Sequence, residues 1–248
     1  MRRLDELTTT ALGALLAGGR PVVALVPVGS VEPHGPHLPL GTDTLIGEGA
    51  IVRAAALLER ACEVVVAPAV PYGVTDFARG FAGAVSVPAA VVTSLLRAVS
   101  EGLVGQGFAS VCLVSNHLEP AHDAAVRAAV VGLPRARVAS PLERRWARLL
   151  SDEFKSGECH AGRYETSIML SCRPELVDDR ARGGLPDVPI SLSRGIQEGK
   201  DGFVAMGMTA AYAGAPRLAT AAEGTAQLER LAQMIETTVR EALAAAGP

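Results

Sequence analysis

Residues 26–43 read Val26-Pro-Val-Gly-Ser-Val-Glu-Pro-His-Gly-Pro-His-Leu-Pro-Leu-Gly-Thr-Asp43, and the organisation of the whole chain follows from this stretch. Its first residues continue an apolar run that begins at Pro21. The segment that follows is rich in Gly and Pro and carries four candidate ligands for divalent metals: Glu32, His34, His37 and Asp43. Such a pattern predicts a buried strand that delivers polar groups to its C-terminal end, where open α/β sheets bind ligands.

The spacing within the stretch favours a shared site. A Glu and a His two residues apart in an extended loop project in the same direction, and a turn at Gly41 is expected to bring Asp43 back towards them. A carboxylate that returns in this way can bridge two ions. The residues alone leave a second interpretation open, in which Glu32 and Asp43 cap helices or turns and the histidines are ordinary loop residues.

A second polar pair follows a second apolar run. Ser110 to Ser115 is predicted to be a buried strand, and His117 and Glu119 come just after it. If this strand and the first are parallel neighbours, both sets of polar residues meet at one edge of the sheet. That convergence predicts a metal site there.

Periodicity along the rest of the chain predicts an α/β fold. The predicted strands are 21–28, 63–67, 110–115 and 137–139, and the predicted helices are 4–17, 44–61, 88–105, 120–131, 142–154, 165–172 and 220–246. Residues 68–87 form a long loop that is either a wall or lid of a substrate pocket or a surface excursion or subunit contact. Residues 173–202 are expected to be irregular, with Gly195, Gly199 and Gly202 flanking a further pocket loop.

The stretch 26–43 resembles the signature of the creatininase (creatinine amidohydrolase) family, which reads Gly-Ser-x-Glu-x-His-Gly-x-His-Leu-Pro followed by an Asp. Three further segments agree with that family in order and approximate spacing: Val114-Ser-Asn-His-Leu-Glu119, His160-Ala-Gly-Arg-Tyr-Glu-Thr-Ser167 and Gly214-Ala-Pro-Arg-Leu-Ala-Thr-Ala-Ala-Glu-Gly224. Together these segments extend over most of the chain.

The resemblance implies a Rossmann-like three-layer sandwich with a mostly parallel central sheet flanked by helices. It also implies two divalent metal ions, zinc with manganese, zinc or iron, and assembly as a homo-oligomer, often a hexamer. Carried over residue by residue, Glu32, Asp43 and His117 hold one ion, and His34, Asp43 and Glu119 hold the other. His160 and Glu119 are the expected catalytic residues.

Several further residues lie near these motifs. His37 and His122 are expected to orient ligands. Glu165, in the first turn of a predicted helix, is a cap, a residue that orients ligands, or a metal ligand in place of Glu119; we favour the second role. Many relatives read Asn-Gly-His-Gly-Gly-Asn where this chain reads Ser115-Asn-His-Leu-Glu-Pro120, and relatives often carry an acid at Arg163.

The implied function is hydrolysis of a non-peptide carbon–nitrogen bond in a small cyclic or linear amide by a water that two metal ions activate. His160 is expected to pass a proton to the leaving nitrogen. Other activities stay open: deformylation of a formylamino-pyrimidine nucleotide, in which Arg163 or Arg79 meets a phosphate, cleavage of a short modified peptide, and, ranked lower, a phosphoesterase. A non-catalytic metal-dependent binding protein is the alternative outside enzymology.

Composition further limits the class of protein to which the chain can belong. The chain has 248 residues, 49% of them hydrophobic and 20% charged, which predicts one folded domain over residues 1–248. A net charge of -3 without a clustered basic face argues against nucleic-acid binding. No signal peptide or membrane span is predicted, so we expect a cytoplasmic protein.

Four scattered cysteines predict no disulfide framework; Cys112 is expected in the core, and Cys159 is a weak candidate nucleophile. Trp146, the only tryptophan, is interpreted as a packing residue.

Overall fold

A computed structural model describes residues 1–245 of the chain. Its centre is a sheet of five strands: β1 (Arg2–Arg3), β2 (Val22–Val28), β3 (Glu63–Val66), β4 (Ser110–Ser115) and β5 (Ala136–Ala139). The strands lie in the order β1-β3-β2-β4-β5, and every neighbouring pair is parallel. The predicted mostly parallel sheet is therefore confirmed, with the short β1 as an addition at its edge.

Ten helices connect and cover these strands within the described residues. They are α1 (Thr9–Leu16), α2 (Thr42–Leu58), α3 (Ala89–Gly105), α4 (Pro120–Ala129), α5 (Arg144–Ala147), α6 (Asp152–Ser156), α7 (Arg163–Cys172), α8 (Asp179–Gly183), α9 (Leu192–Gln197) and α10 (Ala221–Ala245). Single turns of 3-10 helix lie at Leu4–Glu6, Pro174–Leu176 and Pro216–Leu218. None of the helices seen in residues 1–245 combines the length and apolar run needed to cross a membrane.

The three layers follow from the alternation of side chains along the buried strands. On β2, Val23 and Leu25 face a core shared with α2, α7 and α10, whereas Val22, Ala24 and Val26 face a core shared with α1, α3 and α4. Both faces of the strand are apolar because helices cover the sheet on each side. Cys112 on β4 is fully buried in the first core, as the sequence predicted.

The register of the two central strands positions the site. Val28 at the end of β2 lies opposite Ser115 at the end of β4. The loops that carry Glu32 and His117 therefore leave the sheet at the same edge. The two strands are parallel neighbours, which is the condition on which the predicted convergence of the polar residues depends.

Three predicted elements differ from the structure. The helix expected over 4–17 is split, because Thr8 is extended and its side chain accepts a hydrogen bond from the Ala11 N–H at the start of α1. The helix expected over 142–154 is two short helices, and the Ser151 side chain caps the second. The region 173–202, expected to be irregular, contains α8 and α9.

Smaller differences concern boundaries. Helix α2 begins at Thr42, two residues before the predicted start, so Asp43 lies in its first turn. Gly41 has a φ of -93°, which any residue adopts, so the return of Asp43 follows from the start of the helix and not from a turn that needs glycine. The last residue of the predicted C-terminal helix, Ala246, lies outside the described residues. The prediction of one domain over 1–248 includes such residues and stays a prediction.

Candidate metal centre

Five side chains that can bind metals meet at the C-terminal edge of the sheet. They come from the loop after β2, the first turn of α2, the loop after β4 and the first turn of α7, and all are buried: Glu32, His34, Asp43, His117 and Glu165. Within residues 1–245, the ligand atoms of Glu32, Asp43 and His117 lie within 4.8 Å of one another, and so do those of His34, Asp43 and Glu165. A third such group joins Glu32 and His34 to His160.

Asp43 lies between two histidines. Its Oδ1 is 3.3 Å from His34 Nε2, and its Oδ2 is 3.1 Å from His117 Nδ1. The outer carboxylates complete two triangles: Glu32 Oε1 is 3.2 Å from His117 Nδ1, and Glu165 Oε2 is 3.6 Å from His34 Nε2. The two oxygens of Asp43 thus face different groups, as a bridging ligand requires.

These distances fit divalent ions. Ligands held about 2.0–2.1 Å from a tetrahedral zinc ion lie about 3.3 Å apart, which is close to the separations in both triangles. His34 Nε2 and Asp43 Oδ2 are also buried without a hydrogen-bond partner. Buried polar atoms are almost always satisfied, and each of these two atoms lies in a different triangle of ligand atoms, so a cation in each triangle would satisfy both. The residues present fit two ions that share Asp43.

The electrostatics of the cluster favour positive charge at its centre. Although burial acts in the opposite direction, the neighbouring His117 holds the pKa of Glu32 down at about 2. Burial also opposes protonation of His34, yet the Asp43 carboxylate raises the pKa of His34 to about 10. The pKa of His117 is raised for the same reason, by Glu32 and Asp43. Without a metal, protons on the histidines offset the carboxylates; a divalent ion must displace them.

Gly35 shapes the loop that presents His34. Its φ of +66° is in the left-handed region, and a Cβ there would lie 2.9 Å from His37 Nδ1. The chain therefore reverses between the two histidines, and only His34 faces the metal triangles. His37 instead lies 2.8 Å from Thr166 through its Nε2 atom.

Glu119 lies beside the cluster, and its carboxylate is held by the main chain. Its Oε1 and Oε2 accept the N–H groups of Asp76 and Phe77, each at 3.1 Å. Burial raises the pKa of Glu119 to about 7. This placement differs from the sequence-based assignment, in which Glu119 is a ligand of the second ion. The loop that binds its oxygens lies more than 40 residues away in sequence, so no local pattern showed the contact.

Glu165 takes the place at the second triangle that the sequence-based assignment gave to Glu119. It is 2% exposed, lies in the first turn of α7, and its Oε2 accepts the Ala161 N–H at 2.7 Å. Burial raises the pKa of Glu165 to about 8. The geometry therefore favours the alternative in which Glu165 is a ligand over the preferred interpretation of a residue that orients ligands.

His160 lies at the mouth of the cluster. Its Nε2 is 3.0 Å from the Pro33 carbonyl, so it donates there and leaves Nδ1, 3.8 Å from Glu32 Oε1, as the free nitrogen. Its ring lies between those of His34 and Phe203, with centroid distances of 4.6 and 4.3 Å. Burial lowers the pKa of His160 to about 4, which keeps the imidazole neutral near pH 7.

A cavity of about 420 Å³ opens onto Glu32, Asp43, His117, Glu119 and His160. Its apolar lining consists of Phe77, Leu118, Leu142, Phe154, Leu192, Ile196 and Phe203. Phe77 lies in the loop 68–87, and its position in the lining agrees with the first of the two interpretations of that loop, a wall or lid of the pocket. The residues from 192 to 203 were not identified from the sequence individually, and the cluster of glycines around them was the only signal of a pocket loop.

Four residues considered from the sequence have structural surroundings that limit their roles. Arg163 forms an ion pair with Glu223 at 3.2 Å, and Arg79 one with Asp76 at 2.8 Å; neither arginine lines the cavity. Trp146 packs against the core and does not line the cavity. Cys159 does line it, but burial raises the pKa of its thiol well above the ordinary value, which disfavours the nucleophilic thiolate.

Comparisons with known proteins agree with this geometry. A sequence model of the creatininase family, described as creatinine amidohydrolase, matches residues 5–239. The mycofactocin precursor peptide peptidase of Mycolicibacterium smegmatis is 35% identical over 209 residues, which cover 82% of this chain and 78% of the relative. The corresponding peptidase of Mycobacterium tuberculosis is 34% identical over 227 residues, 87% of this chain and 82% of the relative.

Solved structures share the fold. A manganese creatininase superimposes with a TM-score of 0.72 at 22% identity, covering 96% of this chain and 97% of that one. A mutant creatininase of the Zn-Zn type gives 0.71 at 22% identity, with 96% and 97% covered. A putative creatinine amidohydrolase from Bacteroides fragilis gives 0.70 at 24% identity, with 96% of both chains covered.

The parallel sheet, the shared carboxylate and the paired histidines together define an α/β protein with a candidate centre for two metal ions. Within that class, the match over nearly the whole chain shows that the protein belongs to the creatininase family.

Proposed function

We propose that this protein hydrolyses an amide carbon–nitrogen bond with two divalent ions bound at Glu32, Asp43 and His117 and at His34, Asp43 and Glu165. The observation that carries the proposal is the unpaired, buried His34 Nε2 and Asp43 Oδ2 in the cluster of ligand atoms, of which Asp43 lines the apolar cavity. Divalent ions at this place supply a water of lowered pKa and a Lewis acid for the substrate carbonyl.

Glu119 is suited to accept the proton of the attacking water. The Asp76 and Phe77 N–H groups hold its carboxylate at the edge of the cluster, where it lines the cavity. A pKa near 7 matches a base that must be ionised at neutral pH and still take up a proton, and proton transfer is most efficient in that range.

His160 is suited to deliver a proton to the leaving nitrogen. Its Nε2 is fixed by the Pro33 carbonyl, so the neutral ring must first take up on Nδ1, which faces Glu32, a proton released by the attacking water, and it then delivers that proton. Phe203 covers the other face of the ring and Phe77 stands edge-on to Phe203, with centroids 6.4 Å apart. These aromatic rings keep bulk water away from the transferred proton.

Two substrate classes are compatible with this chemistry. The first is a small cyclic or linear amide, as expected from the family resemblance. The second is a short modified peptide, and the shape of the cavity favours it: the lining residues Pro120, Asp123, Ala124 and Arg127 form one face of α4. From Pro120 to Arg127 the helix rises about 10 Å, which matches about three residues of extended chain. The relatives named as peptide peptidases support this class.

The test is turnover of matched substrates by metal-depleted protein, with and without added Zn²⁺ or Mn²⁺. The panel contains a cyclic amide such as creatinine and a series of peptides of two to six residues with apolar side chains. Hydrolysis that depends on added metal supports the proposal, and the length at which peptide turnover saturates measures the part of the cavity that is used. Loss of turnover in Glu119→Gln, with metal still bound, separates catalysis from binding.

Metal binding without turnover of any substrate would instead favour the non-catalytic binding protein. A phosphate-bearing substrate is less well supported, because Arg163 and Arg79 are paired with acids outside the cavity. The homo-oligomer, the cytoplasmic location and the identity of each ion stay predictions; light scattering and elemental analysis test the first and the last.

A further inference from the structure

Residues 74–77, here called the bridging segment, contact the metal-binding cluster or the adjacent Glu119 through the backbone or side chain of every residue. The segment lies in the long loop between β3 and α3 and has no regular helix or strand structure. His117 donates to the Val74 carbonyl at 2.7 Å, the Thr75 hydroxyl donates to Glu32 Oε2, and the next two N–H groups bind Glu119. One short segment thus touches three of the acidic and imidazole groups of the centre.

Thr75 fixes which oxygen of Glu32 faces the ion position. Its side chain is fully buried, and its hydroxyl hydrogen bond occupies Oε2. The other oxygen, Oε1, is left 3.2 Å from His117 Nδ1. The Thr75 N–H donates to Ser86 Oγ at 3.0 Å, and this hydrogen bond holds the Thr75 backbone, and with it the hydroxyl, in place. The hydrogen bond therefore leaves Oε1 as the oxygen of Glu32 that would be available to an ion.

His122 fixes His117 through the main chain. The Nδ1 atom of His122 accepts a hydrogen bond from the Val74 N–H at 3.3 Å, and the Val74 carbonyl accepts one from His117 Nε2. The Val74 backbone is thus held by two histidines, whose rings meet edge to face at 4.8 Å. Because Nε2 of His117 donates to a carbonyl, its Nδ1 is the nitrogen left for a metal.

The second ion position depends on other contacts. His34 is oriented by the Glu32 carbonyl, 3.1 Å from its Nδ1, and Glu165 by the Ala161 N–H at 2.7 Å. The hydrogen bonds of the bridging segment within residues 1–245 reach neither side chain. The segment therefore acts on one side of the shared Asp43.

We propose that Thr75 and His122 are positioning residues for one ion position only, the one bounded by Glu32, Asp43 and His117. This inference rests on the proposed function, because it requires two ions. Removing the Thr75 hydroxyl frees Glu32 Oε2 and lets the carboxylate rotate. Residues that orient metal ligands typically change affinity by about 10–100-fold, and that loss is expected at this position alone.

The experiment is a chelator-competition titration of purified protein with Zn²⁺, with bound metal counted by elemental analysis. Wild type should retain two ions per chain, whereas Thr75→Val should lose one at a chelator concentration about 10–100-fold lower than that required for wild type. Thr75→Ser, which keeps the hydroxyl, should restore the wild-type curve. Thr238→Val, which removes a buried hydroxyl that bonds to Met234 in α10, is the matched control and should leave both ions in place.

His122 gives an independent pair of variants in case Thr75→Val does not fold. His122→Asn can place its amide oxygen near the position of Nδ1 and should retain both ions, whereas His122→Leu should release the same single ion as Thr75→Val. Equal weakening of both positions, or an unchanged titration in folded Thr75→Val and His122→Leu, would overturn the inference. Fewer than two ions in wild type would instead overturn the proposed function on which the inference rests.

Discussion

Protonation of His37 provides a quantitative test of the packing around the metal centre. His37 is 1% exposed, and its Nε2 donates to Thr166 Oγ1, because the Thr166 hydroxyl itself points to the Ala161 carbonyl. Its Nδ1 is buried without a hydrogen-bond partner. A second proton would place a charge on that unpaired nitrogen, so burial lowers the pKa of His37 to about 4.

The lowered pKa of His37 makes the folded protein less stable at acidic pH. An unfolded histidine has a pKa of about 6.5, so between pH 6.5 and 4 the unfolded chain binds a proton that the folded protein does not. Protonation of the unfolded chain at His37 therefore has no effect on stability above pH 6.5, and it lowers the free energy of unfolding as the pH falls from 6.5 to 4. The full difference in pKa corresponds to about 3 kcal/mol, and about 2 kcal/mol of it is expected between pH 7 and pH 4.5.

The assay is urea unfolding of metal-depleted protein at pH 7 and at pH 4.5, for wild type and for His37→Gln. The glutamine amide can donate to Thr166 as Nε2 does, but it does not titrate. The free energy of unfolding should fall by about 2 kcal/mol less in His37→Gln than in wild type between the two pH values. Carboxylates and other histidines titrate equally in both proteins and cancel in the difference. Parallel pH dependences would refute the buried, unpaired Nδ1.

Three further predictions concern the ligands, the packing and the metals. Glu165→Gln should lower the metal content from two ions per chain towards one, whereas Glu119→Gln should keep both ions and lose turnover. Elemental analysis together with a turnover assay distinguishes the two variants. The reverse pattern would support the sequence-based assignment, in which Glu119 is the ligand. Gly224→Ala should lower the free energy of unfolding by about 3 kcal/mol, because a Cβ would lie 1.7 Å from the Ser167 carbonyl oxygen between α7 and α10. Gly102→Ala, which adds its Cβ to open space in α3, should raise the free energy of unfolding by about 0.5–1 kcal/mol in the same denaturation assay. Removal of metal by a chelator should lower the melting temperature, and restored Zn²⁺ should raise it in proportion to the logarithm of free metal concentration; a melting temperature independent of metal would contradict a native-state site.

The elements of the sheet were predictable because their signals are local. Apolar runs at 21–28, 63–67 and 110–115 predicted strands that the structure confirms within one residue at each end, since a strand covered on both faces must be apolar throughout. Prediction failed where a local helix cap interrupts a periodic pattern. The helix expected over 142–154 is broken because Ser151 is extended and caps a new helix.

The sequence by itself determined the fold class and the chemical character of the site. Strand length, apolar composition and the residues that follow each strand are encoded over a few positions, and parallel neighbours carry Glu32 and His117 to the same edge. Tertiary structure decided which carboxylate lies in the second triangle. The sequence favoured Glu119 as this ligand, with Glu165 as an alternative, but the bridging segment binds both oxygens of Glu119, and α7 directs Glu165 towards His34. Contacts between residues more than 40 positions apart determine this choice, so no local pattern could reveal it.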